Sequence, residues 1–547
     1  MQERIMQILK EFIAIDSISD SPKEEAASQY IYHFFKDMDY FKDHPDHAGM
    51  YPIPHDPYGR TVPYAFLEGN SKETVVISGH FDVVNAADYG EAEPLAFSIG
   101  EELEGILAKK ELPPAARADM ESGEWIWGRG VADMKGGMVV NLALMEQYAI
   151  QAQAGELPGS LLFMGVPDEE SYSAGMRAGV SLLSQFKDTY GLDYKLLIDP
   201  EPCHPAGNNT SMCIGSVGKT MPVVMVQGVT AHVGYCYNGI SPLDILTGIY
   251  KRTNGSLEFV DSYDGEGTMP PTWTNLRDMK HRYDVSIPHR ASGYCTVLSF
   301  TTTPDQIVEK FRRIAVEEFE KSVRELNDNY QEYKKLNHFE TKEKIHYDPL
   351  VLSFAELIDR LKKENEERFT AFYEAAYREI ADKIKAGTTN YPDATIAMME
   401  RVLNYAGIKQ PLVLIGFAPP YYPAIHSDMI PGKGKKGTET FEFVKKISEE
   451  QFGITMERQH YALGISDLSY CAMDHPFDHK AFSANTPMWG DLYNMDFEAI
   501  QNNNIPSVLY GPLGKDYHQW TERVSRKRLL EVCPAITKQL IEKQWEK

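Results

Sequence analysis

Five short stretches concentrate the side chains that bind cations or move protons. They are Ser78-Gly-His80-Phe-Asp82, Gly128-Arg-Gly-Val-Ala-Asp133-Met-Lys-Gly-Gly137, Pro167-Asp-Glu169-Glu170, Asp199-Pro-Glu201-Pro and His518-Gln-Trp-Thr-Glu522. A neutral imidazole is a common zinc ligand, and the carboxylate two residues after His80 could hold its other ring nitrogen. The glycines around Asp133 allow close backbone approach, so a carboxylate there could bridge two cations. A phosphate loop is not expected, because neither Gly-x-Gly-x-x-Gly nor a Walker pattern is present. Of the adjacent Glu169 and Glu170, one could face a metal while the other takes a proton from water. Singly, each stretch reads equally as a strand-end histidine, a capped glycine turn or a solvated acidic turn. Jointly they form a mixed nitrogen and oxygen ligand set that suits zinc, cobalt or manganese, with Asp199 or Glu201 completing it.

The elements that must carry these residues alternate between strand and helix. Glu73–Ser78, Ser160–Val166 and Tyr194–Ile198 read as buried strands, and Gly136–Tyr148 as a helix. Such alternation predicts an α/β fold with a mainly parallel sheet. Each acidic or histidine-bearing motif follows a strand, where open α/β sheets place their sites. From about Gly215 the character changes. Thr220–Gln227, Gly293–Phe300 and Pro411–Phe417 read as strands, Ser241–Asn254 as a helix, and 348–406 as almost wholly helical. Residues 1–214 and 424–547 are therefore expected to form one discontinuous α/β domain. Residues 215–423 would be an inserted α+β domain, with a helical insertion at about 338–408.

A chain of 547 residues exceeds one core and is expected to divide into domains. Lys+Arg 55 against Asp+Glu 79 gives a net charge of −24, which disfavours nucleic acid and anionic membranes as partners. The start reads as an amphipathic helix rather than a secretion signal, and no apolar run is long enough to span a bilayer. Six dispersed cysteines without a Cys-x-x-Cys pair suit reduced thiols in the cytoplasm.

At the motif residues the chain resembles the zinc hydrolases that include acetylornithine deacetylase, succinyl-diaminopimelate desuccinylase, carboxypeptidase G and aminoacylase. The likeness covers the whole chain in outline, and Gly128–Gly137 is its most specific element. Length and the helical insertion are similar to the arginine-utilisation branch represented by RocB. The resemblance implies a phosphorylase/hydrolase-like mixed sheet, a lid of the dimerisation type through which a homodimer could form, and two divalent ions. Those ions would be Zn2+, with Co2+ or Mn2+ as alternatives. By the same resemblance His80 would bind one ion, Asp133 would bridge, and Glu170 and His518 would bind the other. Asp199, selected over Glu201 by ungapped alignment from Asp193-Tyr, would complete the first site. Asp82 would orient His80, and Glu169 would be the general base. Gly228-Val-Thr-Ala-His232 resembles the inserted domain's Gly-x-x-x-His, whose histidine stabilises the oxyanion in relatives. One departure stands out in Ser299-Phe-Thr301-Thr-Thr-Pro304, where Thr301 replaces an arginine that can hold a substrate carboxylate. A hydroxyl cannot replace a guanidinium fork, and Arg290 is the substitute that the sequence offers. The implied activity is hydrolysis of an amide (peptide or N-acyl) bond in a small amino-acid-derived substrate, in arginine or amino-acid catabolism. The alternative is a catalytically silent, metal-containing binding or regulatory relative.

Overall fold

The structure, a computed structural model, describes residues 1–206, 209–338, 344–475 and 477–546. Residues 339–343, inside the predicted helical insertion, lie outside this set. The chain divides into two compact units, Met1–Val217 with Pro423–His475 and Met495–Lys547, and Gly218–Tyr422 with Pro476–Asn494. The sequence reading gave 424–547 wholly to the first domain, whereas Pro476–Asn494 packs with the second. The reason is local. Asn485 accepts from the Ala355 amide at 2.9 Å through its side chain and from the Phe417 amide at 2.8 Å through its carbonyl. Phe482 lies against Phe417 and Tyr421, with ring centroids 5.3 and 4.3 Å away.

In the first unit the main sheet runs in the order Ala48–Pro52, Thr61–Leu67, Ser160–Val166, Glu73–His80, Asp193–Asp199, Ser507–Leu509, Asn209–Cys213, Met456–Gln459. It is mixed rather than mainly parallel. The strands from Ser160–Val166 to Ser507–Leu509 are parallel, and antiparallel pairs flank them. Their apolar runs are buried on both faces, as a covered parallel sheet requires. Helix Gln2–Ile13 buries the stripe Ile5, Ile8, Leu9, Phe12 and Ile13, spaced for one helical face. Helix Lys135–Gln153 is buried along almost its entire first half and joins the same core.

Two devices aim the motifs. First, register pairs His80 with Val166 and Ile77 with Ile198, so three neighbouring parallel strands end beside one another. Second, a small sheet of Gly514–Lys515, Arg523–Ser525 and Trp125–Trp127 brings the His518–Glu522 loop against the Gly128–Asp133 loop.

The second unit holds a five-stranded sheet in the order Thr272–Asp278, Arg290–Ser299, Gly218–Gln227, Leu412–Tyr422, Val351–Ser353. Helices Pro242–Thr253 and Pro304–Leu336 accompany it, and helices Phe354–Lys385 and Tyr391–Ala406 form the helical excursion. Capping boxes at Thr303/Gln306 and Ser353/Glu356 start the two long helices. Among the described residues, no helix is long and apolar enough to cross a membrane.

The close approach of helix Lys135–Gln153 to the turn carrying Glu201 demands glycine. A Cβ on Gly137 would stand 2.0 Å from the Pro200 carbonyl oxygen. Gly137→Ala is expected to destabilise by about 1–3 kcal/mol, despite alanine's better helix propensity. Gly105→Ala, in helix Glu101–Leu107 with open space around it, is expected to be neutral or stabilising. Thermal unfolding of both variants checks this, and a Gly137→Ala midpoint at or above wild type would contradict the packing described.

Candidate metal centre

His80 ends its strand wholly buried. Its Nδ1 lies 2.9 Å from the Asp82 backbone carbonyl, which can only accept, so Nδ1 carries the proton. In the neutral ring the Nε2 lone pair is therefore directed at the carboxylates opposite. Asp133 Oδ1 is 3.1 Å and Glu201 Oε1 3.2 Å from that nitrogen. Asp133 Oδ2 lies 3.3 Å from His518 Nε2, and Glu170 Oε1 lies 2.9 Å from it. One carboxylate thus faces two imidazoles that are 438 positions apart in the sequence.

The loops that hold these groups are tied by backbone donors. The Asp82 carboxylate accepts from the amides of Glu169 and Glu170, each at 3.1 Å, and from Ser19 Oγ at 2.6 Å. Glu522 Oε1 accepts from the Ala132 and Asp133 amides at 3.1 and 3.2 Å, while Oε2 pairs with Arg129 at 3.0 Å. His518 and Asp168 adopt left-handed backbone, with φ of 61° and 72°, and the Asp133–Met134 peptide is cis.

Electrostatics mark the cluster as unusual. Burial opposes charge on His80, yet Asp133, Asp82 and Glu201 outweigh it and hold the imidazole well above its ordinary pKa. Hydrogen bonds to Asp133 and Glu170 raise His518 to about 10. Burial would raise Asp133, but His518 and His80 pull it below the usual carboxylate range. Burial, with Asp133 close by, pushes Glu170 to about 7. Glu169 is raised well above an ordinary carboxyl by burial and by Asp467, Glu170 and Glu201, which outweigh His80.

Among the described residues two groups place their donor atoms within 4.8 Å of one another: His80, Asp133 and Glu201, and Asp133, Glu170 and His518. Four of the five expected ligands are brought together in this way. Of the two residues offered for the fifth position, Glu201 lies in the first group and Asp199 in neither. Asp199 ends its strand with its side chain buried, and its Oδ1 has no hydrogen-bond partner among the described residues. Burial, Glu201 and Asp467 raise its pKa well above the usual value. The donor set, two imidazoles and three carboxylates sharing Asp133, fits a pair of divalent cations. Glu169 belongs to neither group, and its Oε2 stands 4.0 Å from His80 Nε2.

Asp467, in a short turn before Leu468, also faces the site, with its pKa raised to about 7 by burial. No strand precedes it, so no sequence pattern pointed to it. Glu522 was read only as the end of a motif, and its two backbone bonds prove to fix the Asp133 loop.

His232 lies in the second unit, exposed at the start of the turn Val233–Asn238. Its Nδ1 accepts from the Gly234 amide at 3.1 Å, so the neutral ring carries its proton on Nε2. Arg290 is buried, giving Nε and Nη2 to Gln227 Oε1 at 3.0 and 2.8 Å and Nη1 to Asn404 at 2.7 Å. The guanidinium offered as a carboxylate clamp is thus engaged within its own unit. The Thr301 amide donates to Asp261 at 2.9 Å.

The chain is similar to several known proteins. It is 30% identical to the protein YqjN of Bacillus subtilis strain 168, over 98% of this chain and 95% of that one. It is 26% identical to protein RocB of the same organism, over 98% and 94% of the two chains. The fold is similar to that of aminopeptidase PepT from Bacillus cereus ATCC 10987, with a TM-score of 0.53 and 13% identity over 100% and 99% of the chains. The description "Peptidase family M20/M25/M40" matches residues 76–543. The chain belongs to this family, and with it to the metal-dependent amidohydrolases and peptidases.

Proposed function

We propose that this chain is a two-metal hydrolase that cleaves an amide bond, peptide or N-acyl, in a small amino-acid-derived substrate. The observation that carries the reading is Asp133 facing His80 and His518 at once, with Glu169 beside His80 yet outside both candidate ligand groups. His80, Asp133 and Glu201 would hold one ion, and Asp133, Glu170 and His518 the other. When bound, two divalent cations supply Lewis acidity that acidifies water and polarises the scissile carbonyl. Zn2+ suits the donor set best, and Co2+ or Mn2+ would fit the same atoms.

Glu169 takes the proton of the attacking water and returns it to the leaving nitrogen. Its burial, with Asp467, Glu170 and Glu201 nearby, makes its carboxylate a stronger base than an exposed one. Asp82 fixes the Glu169 and Glu170 backbone through its two oxygens, and its carbonyl sets the His80 tautomer. His232, with its proton on Nε2, would donate to the carbonyl oxygen as negative charge develops there.

Similarity to RocB along nearly the whole chain supports a place in arginine or amino-acid catabolism. Six free cysteines, five of them buried, fit a reducing compartment and hence a cytoplasmic protein. With Arg290 engaged by Gln227 and Asn404, substrates whose α-carboxylate is blocked should be accepted as well as free acids.

The test is amine release from dipeptides and N-acyl amino acids, arginine-containing ones included, with added zinc, manganese or cobalt. Wild type should turn over at least one of them in a metal-dependent way. Glu169→Gln should keep two ions per chain and lose at least a hundredfold in kcat. Wild-type kcat in Glu169→Gln would remove it as the base, and two bound ions without any turnover would favour a silent binding relative. Asp133→Ala should instead lose metal from both sites, read by elemental analysis after dialysis. Two ions retained in that variant would contradict a bridging Asp133.

A further inference from the structure

We propose that Arg60, acting through Glu24 and Asp168, is a positioning residue that sets the Glu169–Glu170 turn. The inference rests on the hydrolytic reading above, because that reading gives the two glutamates their tasks.

All three guanidinium nitrogens of Arg60 reach carboxylates. Nε and Nη2 reach Asp56 Oδ1 at 3.0 and 2.7 Å, while Nη1 reaches Glu24 Oε1 at 2.7 Å and Asp168 Oδ1 at 2.8 Å. The second oxygen of Glu24 accepts from the Asp168 amide at 2.7 Å, which closes a ring of Arg60, Glu24 and Asp168. Every member is 3% exposed or less. Burying a guanidinium among three carboxyl groups is weak evidence for stability, whereas the hydrogen bonds it makes fix their relative geometry.

The geometry it fixes is that of Asp168, which immediately precedes the two glutamates. Asp168 holds φ at 72°, a conformation uncommon among side-chain-bearing residues and most accessible to Asn, Asp and His. Its Oδ2 accepts from the Ala174 amide at 3.1 Å, and its carbonyl accepts from Ser171, Tyr172 and Ser173. The next two amides, of Glu169 and Glu170, donate to Asp82. The turn is therefore clamped by Arg60 and Glu24 on one side and by Asp82 on the other. Arg60, Glu24 and Asp56 belong to neither candidate ligand group, and the hydrogen bonds of Glu24 and Asp168 connect them to this backbone.

Asp168→Asn is the variant of choice, since asparagine tolerates left-handed backbone, removes the charge and puts an NH2 donor in place of one of the two oxygens that accept from Arg60 and the Ala174 amide. Two measurements are made on the full chain. Zinc titration of chelator-stripped protein should show one of the two sites weakened about tenfold or more, with the other within threefold of wild type. On N-acetyl-L-arginine, or the amide of the panel that wild type cleaves fastest, kcat should fall about tenfold or more, with KM within threefold. If Asp168→Asn does not fold, Arg60→Lys, which keeps the charge but not the fork, is read by the same two measurements. Wild-type zinc affinities and kcat in the folded variant, with only a lowered melting temperature, would overturn the proposal and leave the ring a stabilising cluster. Because the zinc titration needs no turnover, it tests positioning even if Glu169→Gln proves fully active and the hydrolytic reading fails.

Discussion

Charge balance at the end of the parallel strands is the constraint that the first unit is built around. Asp133, Glu169, Glu170, Glu201, Asp199 and Asp467 are buried or nearly so, and His80 and His518 bring imidazoles among them. Carboxylates so placed lose water and repel one another, which raises Glu169, Glu170, Glu201, Asp199 and Asp467. A protein can settle such a cluster by taking up protons or cations. The arrangement favours cations, because Asp133 directs one oxygen to each imidazole and Glu201 and Glu170 stand beyond them.

The neighbouring polar groups then have a common purpose, which is to keep those side chains from relaxing. Asp82 gathers two amides and Ser19, and Glu522 gathers two amides and Arg129. Arg60 gathers three carboxylates around the turn before Glu169. Each is a buried charge whose partners are largely backbone or opposite charge, the condition under which buried ions are tolerated. The small sheet through Trp125–Trp127 performs the long-range part of the task by joining the Asp133 loop to the His518 loop.

Much of this was legible in the sequence because the groups sit at ends of strongly patterned elements. The apolar runs before His80, Asp168 and Asp199 announce strands, and the glycines around Asp133 announce a close approach. Which of Asp199 and Glu201 comes near His80 was not legible, because both come at the end of one strand and only the fold brings Glu201 Oε1 to 3.2 Å from His80 Nε2. The strand continues through Asp199, which points into the protein, and Glu201 emerges beyond the turn. Asp467 and the wider ring of Arg60 were equally hidden, since Arg60 meets Asp56 four residues away but Glu24 and Asp168 only through the fold. Pro476–Asn494 looked like a continuation of the catalytic domain, and only the seating of Phe482 and Asn485 assigns it to the second unit.

Anomalous diffraction from crystals grown with zinc measures the central proposition most directly. Two peaks are expected, about 3.5–4 Å apart, flanking the Asp133 carboxylate. One should be ligated by His80 and Glu201, and the other by Glu170 and His518. A single peak, or a peak ligated by Asp199 in place of Glu201, would contradict the ligand set derived from this geometry.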